Sequence, residues 1–376
     1  MKKKKEFDRR ALYALGTVVA LAPALRLLPT QSVALAGRCA WLSSLAALPA
    51  LLVYAPFLYK LMEKRADGEG LSELTLRLLG KKAGAAALCV MSAWFILYAG
   101  FVLRSGSDRL IVTVYPSASP ALFTLVMTIP VLLAILGRRR SIVRAAQLIR
   151  PLVLGVLLVI LFFAMLSLKT ENLLPVTVSD IVPILKGSVA AVDVTAAVMY
   201  ALCLLEGGTD KEDRGIGSFI WWIVRLLLLF TLLCVAIVGV FGAELTGRLS
   251  HPFFVLVRNL VFFRTVERVE ALVVMLWIFP DFLLVSLFLY AAQSSLRLAF
   301  GFDCSIDGGV RDFSNGRWMI WLCAALAATV ALLIAPDGES LSLWSGTVIP
   351  ILNMGFAFLV LPTIYIVGKL RNRKQE

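Results

Sequence analysis

Four ionisable residues stand inside long apolar runs of this chain: Arg26, Asp193, Arg225 and Asp281. A charge among lipid-facing apolar residues costs several kcal/mol unless it is paired or hydrated, so each is a candidate for ligand contact or ion pairing. Counted inward from the outer ends of their runs at a helical rise of ~1.5 Å per residue, Arg26 lies ~12 Å deep, Asp193 ~8 Å and Asp281 ~15 Å. One cation and two anions thus share one half of the membrane. The arrangement reads either as the charged lining of an outward-facing vestibule or as a buried ion pair with Arg26 snorkelling outward. Arg225 falls in the other half, where Glu206 is its expected structural partner.

The first run carries Ala22-Pro23-Ala24. Proline removes one helical hydrogen bond and clashes one turn back, so a break is expected there, with free N–H groups around Ala22 and Ala24 as donors. The sixth run is preceded by Pro183 and Gly187 and interrupted by Asp193 and Thr195; these, with Asp281 and Ser286 on the eighth, make the candidate acceptor set. Trp94 and Tyr98, one turn apart on the third run, are either a ligand wall or ordinary packing. Broken first and sixth helices point to an inverted-repeat transporter with its site near the midplane.

These residues sit in a chain that only lipid accommodates. Sixty per cent of the 376 residues are hydrophobic and mean hydropathy is +0.88. Ten continuous apolar runs are long enough to span: Ala11 to Ala34, Trp41 to Tyr59, Ala83 to Leu103, Ser119 to Gly137, Pro151 to Leu168, Ser188 to Glu206, Gly217 to Gly242, Ala271 to Ala299, Trp318 to Ala335 and Leu343 to Gly368. They lack the alternation of barrel strands, so helices are predicted. With the first end in the cytoplasm, 26 Lys and Arg fall in inward segments and 8 in outward ones, which places both termini inside. The net charge of +13 then faces cytoplasm and anionic headgroups, and nucleic acid is not an expected partner. The basic start followed by Ala34-Leu35-Ala36 imitates a secretory signal, but the run is too long for a signal core and is read as a retained first helix. The segment from Ser250 to Glu270 mixes aromatic, aliphatic and arginine residues and reads as either an interfacial amphipathic helix or a packed loop.

Several chemistries are absent. The one histidine, His251, lies in an outer loop, and six cysteines are scattered without metal-site spacing. Neither a phosphate-binding glycine loop nor a nucleophile elbow is present, so no enzyme activity, metal or cofactor is expected.

Several motifs in shared order resemble the spore-germination permeases, the B subunits of germinant receptors within the amino acid-polyamine-organocation superfamily. They are Pro29 with Gly37-Arg38-Cys39-Ala40-Trp41; Arg144 and Pro151 with Asn172-Leu173-Leu174-Pro175-Val176; Gly239-Val240-Phe241-Gly242 and Pro252; Glu267-Arg268-Val269-Glu270 and Trp277; and Pro362 with Lys369-Leu370-Arg371. The resemblance implies an all-α integral membrane fold of ten transmembrane helices as two inverted five-helix repeats, residues 1–180 and 181–376. It also implies a ligand-sensing subunit in the bacterial cell membrane or inner spore membrane, with A-type and C-type receptor subunits as partners and a small neutral amino acid as ligand. The chain departs from the family where Ala22 and Pro23 replace an expected glycine and where Ala197-Val198-Met199 replaces Gly-x-Glu, which deletes a membrane carboxylate. A secondary amino-acid transporter of the same fold, coupled to a proton or sodium gradient, is the first alternative; a structural membrane subunit without ligand is the second.

Overall fold

In the computed structural model, the structure describes residues 6–66, 68–113, 115, 117–137, 139–209, 215–259, 269–302 and 316–373, and no strand occurs among them. Segments carrying Lys211 and Arg214, residues 260–268 with Glu267 and Arg268, and most of the Phe300 to Arg317 stretch with Cys304 lie outside the described residues.

Seven helical stretches are long and apolar enough to cross a membrane, and Pro120–Leu136 and Trp318–Leu333 are shorter apolar helices. Each of the ten predicted runs falls on this helical framework. The first two meet at a tight turn: α1 (Arg9–Ala36) ends at Gly37, whose φ of +54° favours glycine, and α2 (Ala40–Ala46) and α3 (Leu48–Glu63) follow. Between α3 and the third run the polar stretch holds a short helix, α4 (Leu71–Leu79), started where Glu73 accepts the Gly70 N–H and stopped by Gly80 at φ +77°. Its Leu71, Leu74 and Leu78 point into the protein.

α5 (Lys81–Thr113) continues ten residues past the predicted end at Leu103. α6 (Pro120–Leu136) begins with Ser119 accepting the Leu122 N–H and proline in the first turn, and α7 (Arg139–Leu166) runs back across. α8 (Ile181–Leu205) and α9 (Ile216–Arg248) follow. α9 breaks at Gly242, φ +76°, where Asn172 and the Lys169 N–H both donate to the Gly239 carbonyl at 2.9 and 3.0 Å. Next come α10 (Pro252–Asn259), α11 (Val269–Ala299) and α12 (Trp318–Leu333). The last span is composite: α13 (Gly338–Leu343), a π turn (Trp344–Val348), α14 (Ile349–Gly355), a second π turn (Phe356–Val360) and α15 (Leu361–Arg373).

Burial ranks the helices. Every residue from 18 to 29 of α1 and from 190 to 205 of α8 is buried, whereas α7 exposes Leu148, Leu158, Phe162 and Leu166 along one face. A helix apolar all round and buried belongs at the centre; one with an exposed apolar face belongs against lipid. Of the candidate charges, Arg26 and Asp193 therefore lie on the two central helices, Asp281 on α11, which packs against α5, and Arg225 on α9.

Two expectations are corrected. α1 runs unbroken through Pro23 and Pro29, and α8 is continuous. In a continuous helix the Ala22 and Ala24 amides are bonded within the helix; what Pro23 frees is the Val19 carbonyl, an acceptor, in place of the expected donors. Of the Ser250 to Glu270 segment, Pro252–Asn259 is helical, as one of its two readings had it, and this α10 buries Phe253, Phe254, Leu256 and Val257 against the bundle.

Candidate functional site

The central helices assemble a polar chain through the protein interior. Asp193 and Tyr200 are seven residues, or about two turns, apart on α8 and so share a face. Asn353, on α14 between the two π turns, joins them. Its amide donates to the Asp193 carboxylate at 2.7 Å and to the Asp193 carbonyl at 3.2 Å, and its side-chain oxygen accepts the Tyr200 hydroxyl at 2.6 Å. Trp94 extends the chain, its indole N–H donating to the Tyr200 oxygen at 3.0 Å. π turns turn side chains out of regular helical register and recur at functional positions. Here two of them bracket the amide that reaches α8.

Tyr98 belongs to the surrounding aromatic cluster, with ring centroids 5.7 Å from Trp94 and 4.7 Å from Phe288. The Trp94–Tyr98 pair is therefore packed among rings, and Trp94 is also a hydrogen-bond donor within the polar chain.

A second node lies toward the end of the bundle away from the N-terminus. Asp281 forms a buried ion pair with Arg109, whose guanidinium also stands 5.4 Å from the Trp277 ring centroid. Gly106 lets α5 approach: a Cβ there would sit 2.7 Å from Met127 and 3.2 Å from the Asp281 carboxylate. Nearby, Arg104 donates to the Ala335 carbonyl at 2.7 Å and faces Asp108 at 3.6 Å. His251 lies 3.9 Å from Asp108, yet burial, with Arg109 and Arg26 adding positive charge, lowers its pKa to about 4 and keeps it neutral.

Arg26 stands between the two nodes. Its guanidinium rests over Phe101, 4.8 Å from the centroid, and the charges of Arg109, Asp281 and Asp193 all act on it. It forms no ion pair with a described residue, and its buried Nε has no acceptor. Other buried polar atoms here also lack partners among the described residues: Thr195 Oγ1, Ser286 Oγ, Ser105 Oγ, Trp277 Nε1 and one Asp281 oxygen. Ala22, Pro23 and Ala24 pack in the core beside them.

The charge pairing differs from the sequence expectation in two places. The salt-bridge partner of Asp281 is Arg109, read from sequence as part of an outer segment because the apolar run ends at Leu103; the helix carries it inward. Arg225 is exposed and donates to the Trp221 carbonyl at 3.1 Å. Glu206 instead faces the buried Arg65 at 3.9 Å; Arg65 also donates to the Glu206 and Thr209 carbonyls at 3.0 and 3.2 Å. Sequence reasoning missed Asn353, Tyr200 and Arg109. An amide inside the tenth apolar run, and a tyrosine seven residues after the intramembrane aspartate, were the available signals.

Chemically, the site offers one unpaired guanidinium, one carboxylate held only by an amide, and several unsatisfied hydroxyls, all enclosed by aromatic and aliphatic side chains. That is equipment for holding a small polar molecule.

The sequence pattern of the spore germination protein (Spore_permease) family matches residues 2–335. Among solved structures, a Na+-coupled sialic acid symporter in a substrate-bound outward-open state covers 98% of this chain and 79% of its own length, at 11% identity and a TM-score of 0.62. A mutant manganese transporter from Eremococcus coleocola covers 96% of this chain and 79% of its own, at 16% identity and a TM-score of 0.52. At such identities the likeness is one of fold. No curated protein matches by sequence.

Proposed function

Because the chain belongs to the spore germination protein family and is a multi-pass membrane protein with a transporter fold, we propose that it is the membrane subunit of a germinant receptor. It senses a small neutral amino acid among α1, α5, α8 and α11. The single observation that carries this reading is the set of buried, unpartnered polar atoms on those helices, Arg26 Nε, Thr195 Oγ1 and Ser286 Oγ. Buried hydrogen-bonding groups cost free energy unless something satisfies them, and a polar ligand among these helices would do so. In this reading both termini are cytoplasmic, residues 1–180 and 181–376 form two inverted repeats, and A-type and C-type subunits complete the receptor.

A ligand that binds only the folded state stabilises it by about 2.7 kcal/mol at one hundred times its dissociation constant. Purified full-length protein should therefore melt later in a saturating small amino acid. A panel of small neutral amino acids with no effect would leave a structural subunit as the better reading. The two structures compared above are transporters of similar fold, so gradient-driven amino-acid uptake stands as the second reading; proteoliposomes carrying a proton or sodium gradient distinguish the two.

A further inference from the structure

Resting on the germinant-receptor reading, we infer that the ligand is held at both ends by side-chain charges: Arg26 takes an anionic carboxylate and Asp193 takes a cationic ammonium. The continuity of α1 leads to this assignment. A broken first helix would offer backbone amides to a carboxylate, but here the Ala22 and Ala24 amides lie inside an uninterrupted helix, where each is bonded one turn back. The donor capacity for an anion then falls to a side chain. Arg26, 8% exposed, is on α1 with its Nε lacking any acceptor. Its face against Phe101 leaves the guanidinium edge for hydrogen bonding.

The cation-binding end is chosen by elimination between two buried carboxylates. Asp281 is already neutralised by Arg109. Asp193 has only the neutral Asn353 amide and its own helix as neighbours in hydrogen bonding, and it forms no ion pair with a described residue. An ammonium would complete its charge, with the Asn353 amide holding the carboxylate in place. The pattern favours ligands with both charges: an amine alone leaves Arg26 without a counter-ion from the ligand, and an acid alone leaves Asp193 so.

The test uses purified full-length protein and three probes of one size: L-alanine, L-alaninamide and propionate. Wild type should melt later with alanine and remain unmoved by equal concentrations of the other two. Arg26→Gln should weaken alanine binding about 10- to 100-fold, the loss of one charge-assisted hydrogen bond, and Arg26→Lys should retain part of it. Asp193→Asn should weaken binding similarly while keeping the Asn353 contact, so that its unliganded melt stays close to wild type. An equal response to alaninamide or propionate, or an Arg26→Gln variant that binds alanine as wild type does, overturns the two-charge site and leaves the receptor reading standing. If wild type responds to no small amino acid, the receptor reading itself fails, and this assignment with it.

Discussion

Replacing Asn353 with leucine, which keeps the branch at Cγ, removes the amide that ties α14 to α8. The bond to the Asp193 carboxylate, at 2.7 Å, is to a charged group and worth ~1.5–3 kcal/mol; the bond accepted from Tyr200, at 2.6 Å, is neutral and worth ~0.5–1.5 kcal/mol. Together they put the loss at ~2–4.5 kcal/mol. With ~2.1 cal/mol/K of unfolding entropy per residue, a chain of 376 residues shifts about 1.3 °C per kcal/mol, so Asn353→Leu should melt ~3–6 °C earlier. Tyr200→Phe removes the Asn353–Tyr200 bond and leaves the Asn353 oxygen and the Trp94 indole unmatched. Because both changes delete one shared bond, the double variant should be milder than the sum by about 1 kcal/mol. Melting of the four proteins in one detergent measures the cycle. A shift under about 1 °C for Asn353→Leu, or strict additivity, would refute a working polar chain between α14 and α8.

Breaking the Arg109–Asp281 pair from one side should cost ~3–5 kcal/mol, and Arg109→Gln with Asp281→Asn together should cost less than either alone; equal or additive losses in the melt would contradict a buried pair. Gly242→Ala forces a side chain into positive φ beside Asn172 and should destabilise by ~1–2 kcal/mol, whereas Gly247→Ala, with open space around it apart from Val33 at 3.6 Å, should be far milder. His251 has its pKa lowered to about 4, below its unfolded value of ~6.5, so the unfolded chain binds the extra proton. Its contribution is then full above pH ~6.5 and is lost as pH falls toward 4; His251→Gln should flatten that part of the melting profile, and an unchanged slope would sink the assignment. Single cysteines at Asp108, Glu171 and Gly338 should react with an impermeant reagent from outside, and one at Gly68 should not; labelling of Gly68 from outside would reverse the topology.

The spans were legible in the sequence because lipid imposes a length and a hydropathy that no neighbouring residue can override. Arg26, Asp193 and Asp281 are conspicuous among leucines, and all three are buried in the protein. Partnerships were not. Arg109 looked like a loop residue because polarity ends the apolar run at Leu103, yet the helix persists to Thr113 on packing against α11 and α6. Pro23 looked like a break because proline forfeits a hydrogen bond, but the buried, tightly surrounded α1 continues past it, a case of tertiary packing outweighing local preference. Asn353 carried little signal by itself; its role depends on two π turns that set its direction, and no local pattern in Trp344–Val348 or Phe356–Val360 announces them. The small helix α4 hid in a stretch judged by polarity alone, whereas a helix at α10 was one of the two readings of its segment.

Sensing without transport is the central claim, and it is tested most directly by measuring, in one preparation, equilibrium binding of labelled L-alanine and its uptake into proteoliposomes under imposed proton and sodium gradients. The account predicts saturable binding with no accumulation above equilibrium in either gradient. Accumulation driven by a gradient, and abolished when that gradient is collapsed, would contradict it.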